Sequence, residues 1–301
     1  MKRKTTFRHW IEAMLIMALP MALRPLPFAS RVRFGGWLIG GAIYRVPKLR
    51  GRIRENLRLI YPEMPDKERA ALESKIARNI GARYIELFYS ATFQKRLSYF
   101  HCADGALDEI RAARAEGRPV ILVSGHFGVW EAGRVLMREA GMESGGVYKE
   151  SANPVHEKRH AKNLSHGGKP MFNTSQRGVR GMLKHLKNGG ILAILLDQRV
   201  NDGEVLDFMG QPALTSTITA TLALKYNALL VPVYGVFREN GQDIDTYFEP
   251  AIPHSDATTM TQALNDSLAA RVRKNPEQWY WLHNRWARPD LERKRPPKTS
   301  A

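Results

Sequence analysis

His126 and Glu131, in "GRPVILVSGHFGVWE" (117–131), are the residues of this 301-residue chain whose types and spacing first suggest chemistry. An imidazole titrates near neutrality and can take a proton from a hydroxyl. A carboxylate bonded to one ring nitrogen would fix its tautomer and leave the other nitrogen as the base. On one continuous helix residues five apart are separated by about 140° and do not face each other. The two can meet only if His126 lies in a turn ahead of a helix and Glu131 in its first turns. Gly125 and Gly128 make such a tight turn sterically open. A polar pair that merely closes a strand is the other reading of the same residues.

Other chemistries fail on spacing. Ser124 has Leu122 where a nucleophile elbow requires glycine, which disfavours a serine acyl-enzyme. There is no HExxH, and the lone Cys102 excludes a disulfide framework and a multi-cysteine metal site. "SGHFG" is neither GxGxxG nor a P-loop. A base acting directly on a hydroxyl is what remains.

The elements that must position such a base are short apolar runs alternating with helices. "VILVS" (120–124), "SGGVY" (144–148), "ILAILL" (191–196) and "LLVPVYGVF" (229–237) read as buried strands. Helical stretches lie between them near 129–140, 153–164, 178–187 and 216–227. This alternation predicts an α/β fold with a largely parallel or mixed sheet covered by helices. Sites in such sheets gather beyond the carboxyl ends of the strands. His126 follows the first run after one glycine and Asp197 follows the third directly, so both are expected on one sheet edge. Upstream, Leu72, Ile76, Ile80, Tyr84 and Phe88 stripe a helix after Pro65, with Asp66 as its expected N-cap. Met260, Leu264, Leu268 and Val272 mark another helix. Trp279, His283 and Trp286 are expected to share one face of a short helix that packs into the core.

Lys and Arg number 46 against 29 Asp and Glu, a net charge of +17 that favours an anionic partner. Residues 1–60 carry thirteen of the basic residues and two acids, Glu12 and Glu55, around the apolar runs 10–23 and 34–44. Neither run reaches the roughly 20 residues that cross a bilayer. An N-terminal helical anchor lying on an anionic membrane is therefore expected over residues 1–60. No clean small-x-small cleavage site follows the basic start, which argues against a cleaved signal peptide. Residues 61–289 form the remaining folded unit and 290–301 a polar tail. No recognition-helix, zinc-finger or RNA-binding signature is present, so no nucleic-acid partner is expected.

Several blocks together resemble one family. "HFGVWE" matches the His-x4-Asp/Glu motif of glycerolipid-type acyltransferases. "RIRENLRLIYPEMP" (52–65), "VYKESANP" (147–154), "LLDQRVNDGEVLDFMGQPALT" (195–215) and "NPEQWYWLHNRWARP" (275–289) follow in the order of the lipid A biosynthesis late acyltransferases. These are the lauroyl and myristoyl transferases of Gram-negative bacteria, within the lysophospholipid acyltransferase superfamily. The resemblance spans about residues 50–289. It implies a single glycerolipid-acyltransferase-like domain that moves a fatty acyl chain from acyl carrier protein to a hydroxyl of a lipid A precursor, at the cytoplasmic face of the bacterial inner membrane. It implies His126 as general base, Glu131 as its orienting partner and Asp197 as a support of the site. It implies no metal and no organic cofactor. The family's functional arginine follows the Asn153-Pro154 block. Arg159 is the nearest candidate, although it falls early, with Lys162 and Asn163 at the later positions. Asn153 is carried over with that block as a substrate-binding or supporting residue. Two other enzyme readings share the base: an O-acyltransferase acting on another glycolipid or lysophospholipid, and a thioesterase. A non-enzymatic basic membrane-binding protein would have no need of His126.

Overall fold

The computed structural model describes residues 6–103 and 105–286. The polar tail expected at 290–301 and the first five residues of the expected anchor lie outside them. In chain order the helices are α1 (Phe7–Ala22), α2 (Phe28–Arg45), α3 (Pro47–Ile60), α4 (Asp66–Phe88), α5 (Ser90–Phe93), α6 (Asp108–Ala115), α7 (Ala132–Glu139), α8 (Pro154–Leu164), α9 (Gln176–Lys187), α10 (Ile218–Tyr226) and α11 (Ala257–Lys274). The strands are β1 (Phe100–His101), β2 (Val120–Ser124), β3 (Ser144–Tyr148), β4 (Met171–Asn173), β5 (Ile191–Leu195), β6 (Glu204–Phe208), β7 (Gln211–Thr215), β8 (Leu229–Phe237) and β9 (Ile244–Phe248).

Seven strands form one sheet in the order β1-β9-β8-β2-β5-β3-β4, parallel throughout except for the antiparallel β8–β9 pair. All five residues of β2 are buried, as expected of a central parallel strand covered on both faces. The four apolar runs are strands, and the alternation of strand and helix is that of an α/β fold. β6 and β7 make a separate antiparallel hairpin that the spacing did not suggest.

The N-terminal helices divide their surface between core and solvent. Gly35, Gly36 and Gly40 of α2 lie against α4, where a Cβ on Gly40 would come within 2.6 Å of the Arg78 Cα. The opposite face of α2 leaves Phe34 and Trp37 about half exposed, and α1 exposes Phe7, Trp10, Met14 and Met21. The run 34–44 is thus a close helix–helix contact on one side and an apolar surface on the other. Among the described residues no helix is long and apolar enough to cross a membrane.

Two local expectations are corrected. Asp66 is the first residue of α4 rather than its cap; Pro65 holds the cap position without a side-chain bond, and the Asp66 carboxylate turns to Arg69 at 2.5 Å. Residues 279–286 form no helix. After a 3₁₀ turn at Pro276–Gln278 the chain runs irregularly, because it bridges back to the site: Phe127 and Trp279 pair as an isolated antiparallel bridge. Trp279 and Trp281 are nonetheless fully buried, as core packing requires.

Candidate active site

The register of the sheet decides which groups meet. Ser124 of β2 lies opposite Leu195 of β5, so extending both parallel strands by two residues sets His126 beside Asp197. The imidazole Nδ1 and the Asp197 Oδ1 are 2.8 Å apart, and the His126 backbone N–H donates to Oδ2, also at 2.8 Å. Trp279 adds its indole N–H to Oδ2 at 2.8 Å. Asp197 is fully buried and accepts three N–H groups. Burial alone would raise its carboxyl, but the charge and hydrogen bonds of His126 outweigh that and hold it well below the usual carboxylate range. An ionised Asp197 requires a proton on Nδ1. That leaves Nε2 with its lone pair facing outward, where the Gln198 side-chain amide donates to it at 3.3 Å.

The turn carrying His126 is fixed from several sides. Gly128 has φ +49°, and a Cβ there would fall 2.0 Å from the Gly235 carbonyl oxygen. A Cβ on Gly125 would meet Leu268 at 2.6 Å and the Asp197 Cγ at 3.2 Å. The Gly128 and Tyr280 N–H groups donate to the carbonyls of Gln278 and His126, both at 2.9 Å, clamping the turn to the 278–280 segment. Asn56 of α3 donates to the carbonyls of Trp281 at 2.8 Å and His283 at 3.0 Å. A chain of contacts therefore runs from α3 through the tryptophan segment to Asp197 and the ring.

Glu131 is not the partner of the ring. It stands at the N-cap position of α7 in a helical conformation, and its Oε2 accepts from Arg134 Nη1 at 2.7 Å. Arg134 is buried and spends Nη2 on the carbonyls of Gly168 at 2.9 Å and Ser144 at 3.3 Å. A cation one helical turn ahead captures the carboxylate, and Asp197 takes the role that spacing had assigned to Glu131. Glu131 still lines the same cavity as His126. That cavity, about 530 Å³, opens at the imidazole and Gln198 and runs along β2, β3 and β5 between Leu122, Val147, Leu164, Met171 and Val233. Ser124, Arg134, Tyr148, Lys149, His160 and Thr174 are further polar residues of its wall.

Asn153 and Arg159 lie off this cavity. Asn153 is buried as the N-cap of α8, accepting from the N–H groups of Val155 at 3.0 Å and His156 at 3.3 Å while donating to the His9 carbonyl of α1 at 2.8 Å. Arg159 points to the far side of α8, its guanidinium 3.7 Å over the Phe88 ring.

Three functional neighbours were missed. Gln198 sits next to Asp197 in the same "DQ" pair, and Trp279 had been read for packing alone. The third, His283, places its ring 4.8 Å edge-on from that of His126, and burial pushes its pKa down to about 4. It stays neutral at pH 7. His126, Asp197 and His283 bring donor atoms within 4.8 Å of one another, a spacing open to a metal ion. A metal there would have to displace N–H groups that already fill both Asp197 oxygens.

The profile of the bacterial lipid A biosynthesis acyltransferases matches residues 1–288. The chain belongs to that family. It is 28% identical to the lipid A biosynthesis lauroyltransferase of Escherichia coli K12, over 93% of this chain and 92% of that one. It is 22% identical to a lipid A biosynthesis acyltransferase of Haemophilus influenzae over 91% and 85% of the two chains. It is 24% identical to the phosphatidylinositol mannoside acyltransferase of Mycobacterium tuberculosis over 88% and 85%. Among solved structures, the 1-acyl-sn-glycerophosphate acyltransferase of Thermotoga maritima aligns with 13% identity and a TM-score of 0.37, over 90% of this chain and 99% of that one. The protein is an acyltransferase of the lipid A type.

Proposed function

We propose that the enzyme transfers a fatty acyl chain from the thioester of acyl carrier protein to a hydroxyl of a lipid A precursor, with His126 as general base. The observation that carries this is the His126–Asp197 pair at 2.8 Å, with Nε2 turned to the mouth of an apolar cavity. Nε2 takes the proton of the acceptor hydroxyl while its oxygen attacks the thioester carbonyl. Collapse of the tetrahedral intermediate breaks the carbon–sulfur bond, and the imidazolium returns its proton to the departing sulfur. Asp197 stabilises that imidazolium and fixes the tautomer, a role worth about 10²–10⁴-fold in rate. Glu131 contributes by holding Arg134 at the cavity wall. The acyl chain occupies the slot between Leu122, Met171 and Val233, whose volume suits a small-molecule tail.

The net charge of +17 favours both an acidic carrier protein and a phosphorylated acceptor. The exposed Trp10, Met14, Phe34 and Trp37 of α1 and α2 suit an interfacial anchor at the cytoplasmic face of the inner membrane. A second acceptor, another glycolipid, draws support from the likeness to the mycobacterial mannoside acyltransferase. The purified protein is tested with acyl-loaded carrier protein and either acceptor, with products read by mass spectrometry. An added acyl mass on the lipid A precursor supports the proposal. Acylation of the other glycolipid alone, or simple hydrolysis of the thioester, refutes it.

A further inference from the structure

Helix α8 has two working faces. His160 and Leu164 line the cavity of the base, whereas Val155, Arg159, Lys162, Asn163 and His166 line a second hollow across the helix. This hollow, about 540 Å³, lies between α8, the end of α4 and Met17 of α1. It shares Phe88, Tyr89, Thr92 and Arg159 with an adjoining space of about 430 Å³ that Arg24 and Arg31 border. Among the described residues no acidic side chain lines either lobe.

Arg159 is held without a carboxylate among the described residues. Its guanidinium rests on the Phe88 ring, Nη1 touches only the Met17 sulfur at 3.9 Å, and Nε is buried with no hydrogen-bond partner. Arg31 lies over the Tyr89 ring at 4.8 Å and spends Nε on the Leu26 carbonyl at 2.6 Å, which leaves its terminal nitrogens to face the lobe. Burial lowers the pKa of His166, and Lys162, Arg138, Lys169 and Lys95 lower it further, as expected in a positive field. Guanidinium groups fixed on aromatic faces, with donors to spare and no carboxylate beside them among the described residues, are arranged for an oxyanion. Met17 and Met21 of α1 border the two lobes, and Trp10 and Met14 of the same helix are exposed apolar side chains, so the anion would arrive from that side.

We propose that this two-lobed basic cavity binds a phosphate group carried by a membrane lipid, separately from the site of acyl transfer. The inference rests on the reading that α1 lies at a membrane surface. A lipid phosphate can come from the acceptor itself or from the surrounding anionic phospholipid. Both present the same chemistry to Arg159, Lys162 and Arg24.

The test uses the full-length chain, its Arg159→Gln/Lys162→Gln double variant and a charge-matched control, Arg177→Gln/Arg180→Gln, on exposed positions of α9. Flotation is measured on phosphatidylcholine vesicles with and without phosphatidylglycerol. Acyl transfer is measured on the phosphorylated acceptor and on the same acceptor after phosphatase treatment. If bulk phospholipid fills the site, the double variant loses about thirty-fold in phosphatidylglycerol-dependent binding, from roughly fivefold for each basic residue at an anionic surface. The control stays near wild type. If the acceptor's phosphate fills it, KM rises for the phosphorylated acceptor alone, kcat is kept, and vesicle binding is unchanged. Should the double variant melt early, Lys162→Gln alone, on an exposed side chain, reads the same two arms with a roughly fivefold effect. A double variant, or that single one, indistinguishable from the control in both arms overturns the proposal. Failure of the wild-type chain to bind neutral vesicles overturns instead the reading of α1 as a membrane surface, because its exposed apolar side chains need no anionic lipid to insert.

Discussion

Asp197→Asn is the perturbation that separates a tautomer-fixed base from a passive histidine. The carboxylate accepts three N–H groups, each at 2.8 Å: the His126 Nδ1–H, the His126 backbone N–H and the Trp279 indole. An asparagine has one acceptor oxygen. Set at the Oδ2 position, that oxygen keeps the backbone and indole bonds, and the NH₂ then faces Nδ1. Two N–H groups cannot bond each other, so the ring proton must move to Nε2, the atom needed as base. The opposite rotamer points the NH₂ at two donors and loses both of their bonds. The first rotamer is therefore favoured, and it forces the wrong tautomer. Such a swap costs about 10³–10⁴-fold in rate, or about 4–5.5 kcal/mol of transition-state stabilisation. Neutral bonds in place of charge-assisted ones cost about 1–2 kcal/mol of fold stability. The assay is the initial rate of acyl transfer by the purified variant, with thermal melting by circular dichroism alongside. A folded Asp197→Asn enzyme working within threefold of wild type would refute the tautomer argument.

Other outcomes follow from neighbouring contacts. Glu131→Gln removes the charge paired with buried Arg134, and an uncompensated buried cation predicts a loss of about 3–5 kcal/mol in chemical denaturation; an unchanged melt with altered pH–rate behaviour would instead restore Glu131 as a direct partner of His126. His283 has a folded pKa of about 4 against about 6.5 unfolded, so between those values the unfolded chain binds more protons. Its contribution is full above about pH 6.5 and lost as pH falls toward 4, on the order of 1–3 kcal/mol. His283→Gln should flatten that part of a stability-versus-pH curve, and an unchanged slope would contradict it. Replacing exposed Trp10, Met14 and Trp37 together by serine should weaken binding to neutral vesicles at least tenfold in flotation without shifting the melting temperature. Retained binding would move the membrane contact elsewhere.

Much of this arrangement was legible in the residues because local physics wrote it there. An unbroken apolar run such as "VILVS" has few alternatives to a buried parallel strand, and Asn153-Pro154 is both cap and first residue of α8. The placement of His126 and Asp197 at neighbouring strand exits was also readable, since one follows its apolar run after a single glycine and the other directly. Which carboxylate holds the ring was not. That depends on the register of β2 with β5, which links residues 71 apart in sequence. Glu131 looked closer only along the chain, while Arg134, three residues further, offered it a partner on the same helix turn. Residues 279–286 carried helical spacing, yet bonds from Asn56 and a bridge to Phe127 draw them into an irregular path. Long-range pairing overrode local periodicity there. The N-terminal helices were half legible, because composition shows apolar runs but not which face the glycines of α2 turn toward α4.

The claim that His126 takes the acceptor's proton is tested most directly by His126→Ala. The full-length variant is first matched to wild type in melting temperature and in vesicle binding. It is then given acyl-loaded carrier protein and the lipid A precursor, with transfer followed by mass spectrometry. A rate at least 10²-fold below wild type is predicted, with no acyl chain left on the enzyme in either protein. A folded, membrane-bound His126→Ala enzyme that transfers acyl chains at the wild-type rate would contradict it.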